Sequence, residues 1–175
     1  MSSIVERMIG AATLQVSTFE EVEADESATG EALAVVAMSS LAVGISTLSL
    51  TGLIFGTLAA LVGWVISAVI IFFVGTKLLP EPQTSSDIGE ILRTTGFASS
   101  PGILRVVGVI PILGALLSFL IGIWMLVATV VAVRQALDYQ STGRAAVVCI
   151  IGFIIQFVIA LFLAPIIALF SAFLS

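Results

Sequence analysis

The chain has 175 residues, of which 59% are apolar and only 10% charged, far from the roughly half apolar and quarter charged of a soluble domain; a protein soluble without lipid is excluded. The formal net charge is −5, but six of the eleven carboxylates (Glu20, Glu21, Glu23, Asp25, Glu26 and Glu31) sit in one twelve-residue stretch. The acidity is therefore a local patch, and with no basic surface, nucleic-acid binding has no support.

Residues 1–30 read as an acidic N-terminal segment. Ile4, Val5, Met8, Ile9 and Ala12 recur at helical spacing, and Thr18 with Glu21 predicts a capping box. Such a piece either lies at the membrane interface or docks as a short helix on the rest of the protein. Glu6 and Arg7 interrupt any signal-peptide core, so the first span is expected to act as its own insertion signal. Ser2 stands where myristoylation needs glycine, and no C-terminal Cys box follows, so attachment by spanning is expected.

Residues 31–174 read as an all-α transmembrane domain. Ala32 to Leu50 and Gly52 to Val74 form an antiparallel pair of spans, and Lys77 marks the exit. Pro80 and Pro82 end the helical structure, and Ser86, Asp87 and Glu90 restart it as a short amphipathic helix through Phe97, within the one substantial loop. Ala98 to Ile110 is apolar except for Ser99, Ser100 and Arg105; as a helix it rises only ~20 Å, short for a crossing. Ile112 to Val133 is a clear span, Arg134 to Arg144 a polar connection, and Ala145 to Phe173 a final span that must tilt, kink at Pro165 or protrude. If the short segment pairs with its successor around Pro111 and Gly114, then Arg7, Lys77, Arg93, Arg134 and Arg144 share one side, with Arg105 near it. The reading is a polytopic helical bundle of five membrane segments, the third short, with a cytoplasmic N-terminus.

Lipid supplies no hydrophobic force between helices, so small residues are expected where backbones approach. Gly52, Gly56, Ala59, Gly63 and Ser67 form one small face on the second span. Gly114, Ser118 and Gly122 form another, and Ala145, Cys149, Gly152, Gln156, Ala160 and Ala164 a third. Each is either a packing seam or a groove that leaves a lipid or substrate cavity. Gln156, the one mid-span amide, is expected to face the bundle in an interhelical hydrogen bond. Trp64 and Trp124 sit near mid-span and read as core fillers. The single cysteine, Cys149, permits no intrachain disulfide.

No catalytic residue, cofactor or metal site is expected, for want of parts: the chain has no histidine, a single lysine and no mid-membrane carboxylate. Glu31 and Arg105 come nearest to a relay, and both read as groups snorkelling or pairing at the cytoplasmic surface. There, Glu20, Glu21, Glu23 and Glu26, the Pro80 to Phe97 loop with Arg93, and the turn carrying Arg134 and Arg144 form a candidate partner surface. Anionic headgroups repel the acidic stretch, which favours a protein partner unless it only solvates a helix end.

From the proline loop onward Leu92-Arg93, Gly96-Phe97-Ala98, Pro101, Ile110-Pro111, Gly114, Ile123-Trp124 and Arg134, preceded by FEEVEADESATGEAL, resemble the Yip-one domain family in its prokaryotic form. The resemblance spans about Phe19 to Phe173. It implies five segments and a cytoplasmic N-terminus; eukaryotic members act in vesicle traffic and contact Rab GTPases. Only about thirty residues precede the first span here, which argues against a Rab-type GTPase as partner. The expected function is a non-enzymatic, multi-pass protein of the cell membrane that associates with lipids, other membrane proteins or its own copies. The alternatives are an accessory subunit of a larger respiratory, photosynthetic or transport complex, and a small transporter or channel.

Overall fold

The computed structural model describes residues 2–46, 50–110 and 113–174, without the side chains of 51–52 and 164–174. Every regular element among them is helical: α1 (Ile4–Ala12), α2 (Val16–Ala24), α3 (Ala28–Ser46), α4 (Leu50–Phe73) extended by a π-helical turn (Val74–Leu78), α5 (Ile88–Ala98) extended by a 3-10 helix (Ser100–Val109), α6 (Leu113–Ala136) and α7 (Thr142–Leu174). Four helical stretches, Ala28–Ser46, Leu53–Leu78, Leu113–Ala136 and Thr142–Leu163, are long and apolar enough to cross a membrane. The surroundings of Gly52, the Pro111 turn and the Ala164 and Pro165 side chains fall outside the described residues.

Local chemistry sets the helix starts. Ser3 and Glu6 cap α1 reciprocally, and Asp87 and Glu90 do the same for α5, with hydrogen bonds of 2.8 and 2.9 Å. The box expected from Thr18 and Glu21 does not form. Leu14, at φ 62°, reverses the chain directly after α1, so α2 is already helical from Val16 and its Gln15 N-cap makes no side-chain capping bond. Thr18 is buried beneath Gly10, and Glu21 turns to Ser2 and Arg7. α1 and α2 are thus an antiparallel hairpin docked on α5 and α6 through Ala11, Phe19 and Val22, while Val5 and Ile9 stay exposed on its outer side.

The register of α5 and its 3-10 extension follows from their glycines. A Cβ on Gly96 would stand 2.7 Å from that of Ala32; Gly102 meets Ser39, and Gly108 meets Ser46. α5 and the 3-10 helix therefore run beside α3 in the same direction along nearly its whole length. Against α6 the order reverses, Gly102 facing Met125, Arg105 facing Gly122 and Gly108 facing Ser118. Eleven α-helical residues and ten 3-10 residues rise about 16 and 20 Å at roughly 1.5 and 2.0 Å each. α5 is no surface loop: Ile91 and Arg93 through Ala98 are all buried.

Two apolar cores lie toward the end that carries the α6–α7 connection. One joins Ala68, Ile71, Val74, Ile91, Val133, Leu137, Tyr139 and Val148, and the other seats the α1–α2 hairpin on Ala32, Val35, Phe97, Ala128 and Ala132. Tyr139 is buried with its hydroxyl 2.9 Å from the Gly75 carbonyl and 2.7 Å from that of Leu79, so it serves both ends of the π-helical turn. The outer faces carry Phe55 at 67%, Leu116 at 57% and Phe157 at 69% exposure, which suits a surrounding solvent as apolar as the side chains themselves.

Candidate functional site

At the end holding the α6–α7 connection, charged groups gather, and two arginines there, Arg7 and Arg144, form ion pairs. Arg7, only 3% exposed, donates to Glu21 at 3.0 Å, Asp25 at 2.6 Å and Glu31 at 2.9 Å. Burial opposes its charge, and the hydrogen bonds to Asp25, Glu21 and Glu31 more than offset it, so its pKa lies above the ordinary value. Glu20 accepts from Gln135 at 3.3 Å. Glu23 is pushed up to about 7, first by burial and then by the nearby Asp138 and Glu90 carboxylates. Glu26 is exposed. Arg134 reaches the Tyr139 carbonyl at 3.2 Å, and Arg144 reaches the Pro80 carbonyl at 3.0 Å and Glu81 at 3.8 Å. Arg93 is not on this surface. It is 6% exposed and donates through Nε to the carbonyls of Val22 and Glu23, at 3.0 and 3.1 Å, so it clamps the end of α2 from inside.

Deeper in the bundle, α3, α4, α5 with its 3-10 extension, α6 and α7 surround a cavity of about 600 Å³. Trp64 and Ile71 close it toward the charged end; the Trp64 indole N–H donates to Thr95 Oγ1 at 3.2 Å. Val43 and Phe153, 39% and 45% exposed, together with exposed Gly56 and Ala59, mark a lateral opening on the apolar flank. The lining is studded with polar groups: Ser39, Ser40, Ser67, Thr95, Ser99, Arg105, Thr129 and Gln156. Ser40, Ser99 and Thr129 hydroxyls donate to carbonyls of their own segment three or four residues back. Gln156 donates one amide hydrogen across the bundle to the Gly63 carbonyl at 3.0 Å.

The small residues divide between the two roles open to them. Ala59, Ser67 and the glycines at 56 and 63 line the cavity; nothing lies within 4 Å of a Cβ built on Gly56, and one on Gly63 would meet only the Gln156 amide at 3.3 Å. Gly114 packs on the backbone of Gly108, Ser118 lies against Gly108, Gly122 admits the Arg105 guanidinium, and Gly152 makes ordinary contact with Ile71 at 3.6 Å. Close approaches also come from glycines that no sequence stripe singled out, among them Gly44 against Leu53 and Gly96 against Ala32. Arg105 was expected near the charged end. The structure puts it beside Gly122, nine residues from one end of α6 and fourteen from the other, about 21 Å from the charged end at 1.5 Å per residue. Trp124 is not a core filler either: it is 38% exposed and its indole N–H holds the Ala12 carbonyl at 2.7 Å, pinning the tip of the N-terminal hairpin to the middle of α6.

No curated protein and no solved structure matches this chain significantly. A family model described as the Yip1 domain matches residues 10–173, a stretch that takes in every wall of the cavity and all of the charged end except Arg7. With its all-helical bundle and its apolar spans, the chain belongs to the Yip1 domain family of membrane proteins.

Proposed function

We propose that this protein is a non-enzymatic, five-segment protein of the cell membrane that works by taking up a membrane lipid or related amphiphile between its helices. The cavity carries this reading: a space of about 600 Å³ lies in the usual range for small-molecule sites, and it opens on the apolar flank, where lipid would be the neighbour. α5 with its 3-10 extension supplies the third crossing, its rise of ~36 Å exceeding the ~30 Å hydrocarbon layer. Lys77, Arg134 and Arg144 lie at one end, which the positive-inside rule assigns to the cytoplasm. The Gln135–Glu20 bond puts the N-terminal hairpin at that end too.

The test is native mass spectrometry of the protein released from lipid nanodiscs. The wild type should retain one amphiphile mass, and Gly56→Phe with Ala59→Phe, which fills the opening, should lose it while keeping its melting temperature. No retained mass, or equal retention by the filled variant, would refute the reading.

Association with another membrane protein is a second reading, favoured by the exposed Glu26 and half-exposed Glu23 beside Asp138 at the charged end. Exposed acidic groups of this kind steer encounter more than they add affinity. Changing Glu20, Glu23 and Glu26 to Gln should then reduce capture of copurifying proteins at low salt; an unchanged set of proteins would leave the surface as solvation only.

A further inference from the structure

The guanidinium of Arg105 is the anomaly of the cavity. Arginine stays charged at any physiological pH, and a charge at this depth is expected to find a partner or snorkel to an interface. Arg105 finds no partner. Among the described residues it makes no hydrogen bond and no ion pair, and its Nε is fully shielded from solvent. The charged end, about 21 Å away along α6, is beyond the reach of its side chain. No carboxylate lines the cavity to balance it.

The other uncommitted polar groups around it can donate as well. Ser39 and Ser67 make no hydrogen bond to any described residue, and the Gln156 amide spends one of its two hydrogens on Gly63. Ser39 packs on Gly102, three residues before Arg105, which brings its hydroxyl to the same stretch of wall. Apolar surface from Val36, Val43, Met125 and Phe153 completes the lining.

We propose that the cavity binds a single-chain anionic amphiphile from the membrane, its carboxylate or phosphate headgroup held by Arg105 with Ser39 and Gln156, and its chain leaving through the opening beside Gly56 and Ala59. Charge complementarity selects the headgroup, because an anion gives the stranded guanidinium the partner that the protein withholds. The lateral opening selects a membrane source over a soluble one. This assignment rests on the lipid-uptake reading above and adds the headgroup chemistry.

Trp64, in the cavity wall, supplies the readout once Trp124 is changed to Phe. The full-length protein in neutral-lipid nanodiscs is titrated with chain-brominated fatty acid, the corresponding alkyl phosphate and the corresponding neutral alcohol, and quenching of Trp64 is followed. Saturable quenching by both anions is expected, with the alcohol at least about tenfold weaker, in keeping with ~1.5–3 kcal/mol for a hydrogen bond to a charged group. Arg105→Gln should remove the preference for the anions, and Arg105→Lys should retain part of it. Inorganic phosphate should not displace the brominated anions; displacement would point to a soluble anion and overturn the assignment. Saturable quenching that is equal for all three probes and indifferent to Arg105→Gln would overturn the headgroup assignment and leave lipid uptake standing. Absence of saturable quenching by every probe would overturn both.

Discussion

Replacing Arg7 with Met should destabilise the protein out of proportion to one surface-proximal charge. Arg7 is 3% exposed and bonds three carboxylates drawn from α2, the α2–α3 junction and the first turn of α3, so its loss leaves Glu21, Asp25 and Glu31 facing each other with no cation among them. Breaking a buried pair costs about 3–5 kcal/mol; with Glu21 and Glu31 about a third exposed, water screens part of the repulsion, and the lower figure applies. At roughly 2–4 °C per kcal/mol for a chain of this size, the melting temperature in mild detergent should fall by about 6–12 °C at pH 7. The pH dependence carries the diagnostic. Glu21 lies below its usual pKa through Ser2 and then Arg7, and Asp25 through Ser27 and then Arg7. Their stabilisation is present above the ordinary carboxylate range and is lost as pH falls through the lowered values. The two melting curves should therefore converge as pH falls below 4, and Arg7→Met combined with Glu21→Gln, Asp25→Asn and Glu31→Gln should recover most of the loss at pH 7. A single variant that melts within 2 °C of wild type at pH 7, or a gap that stays undiminished down to the lowest pH at which both proteins remain folded, would refute the reasoning.

Glu23→Gln should raise the melting temperature at pH 8 and leave it unchanged near pH 4.5. The folded-state pKa of Glu23 is raised from 4.5 to about 7, so the native state binds the proton more tightly, and stability falls as pH rises between those values; equal melting shifts at both pH values would remove Glu23 from the account. Gly96→Leu should abolish a monodisperse fold, since even a Cβ would stand 2.7 Å from Ala32 and 3.1 Å from Trp64, whereas Gly56→Leu should melt within a few degrees of wild type because nothing lies within 4 Å. Comparable damage from the two would mean that the helices around Gly56 close on one another. With Cys149→Ala as background, cysteines at positions 110 and 140 should label from opposite faces of sealed vesicles, with position 140 on the cytoplasmic side; labelling of both from one face would show that the 3-10 segment does not cross.

Periodicity and composition make the α1 helix, the long spans and the Asp87 cap legible in the sequence, because each depends on residues within a turn or two. What they hide depends on rise and depth. Nothing local announces that Ser100–Val109 winds as a 3-10 helix, so its rise per residue, and with it the combined length of α5 and its extension, is underestimated. Arg93 and Arg105 look alike in a charge count, yet one is spent on the Val22 and Glu23 carbonyls and the other faces a cavity. The small stripe of α4 was visible, but whether such a stripe meets a helix or a void depends on what stands opposite. Here that is Gln156 of α7 and, at Gly56, open space.

A nitroxide attached at Ala59→Cys in the Cys149→Ala protein, read by electron paramagnetic resonance in vesicles, tests most directly whether the bundle holds a cavity open to lipid. The account predicts high accessibility to oxygen, low accessibility to a water-soluble nickel chelate, and loss of the oxygen effect when Gly56→Phe fills the opening. High accessibility to the nickel chelate would contradict it and show a water-filled path in place of a lipid site.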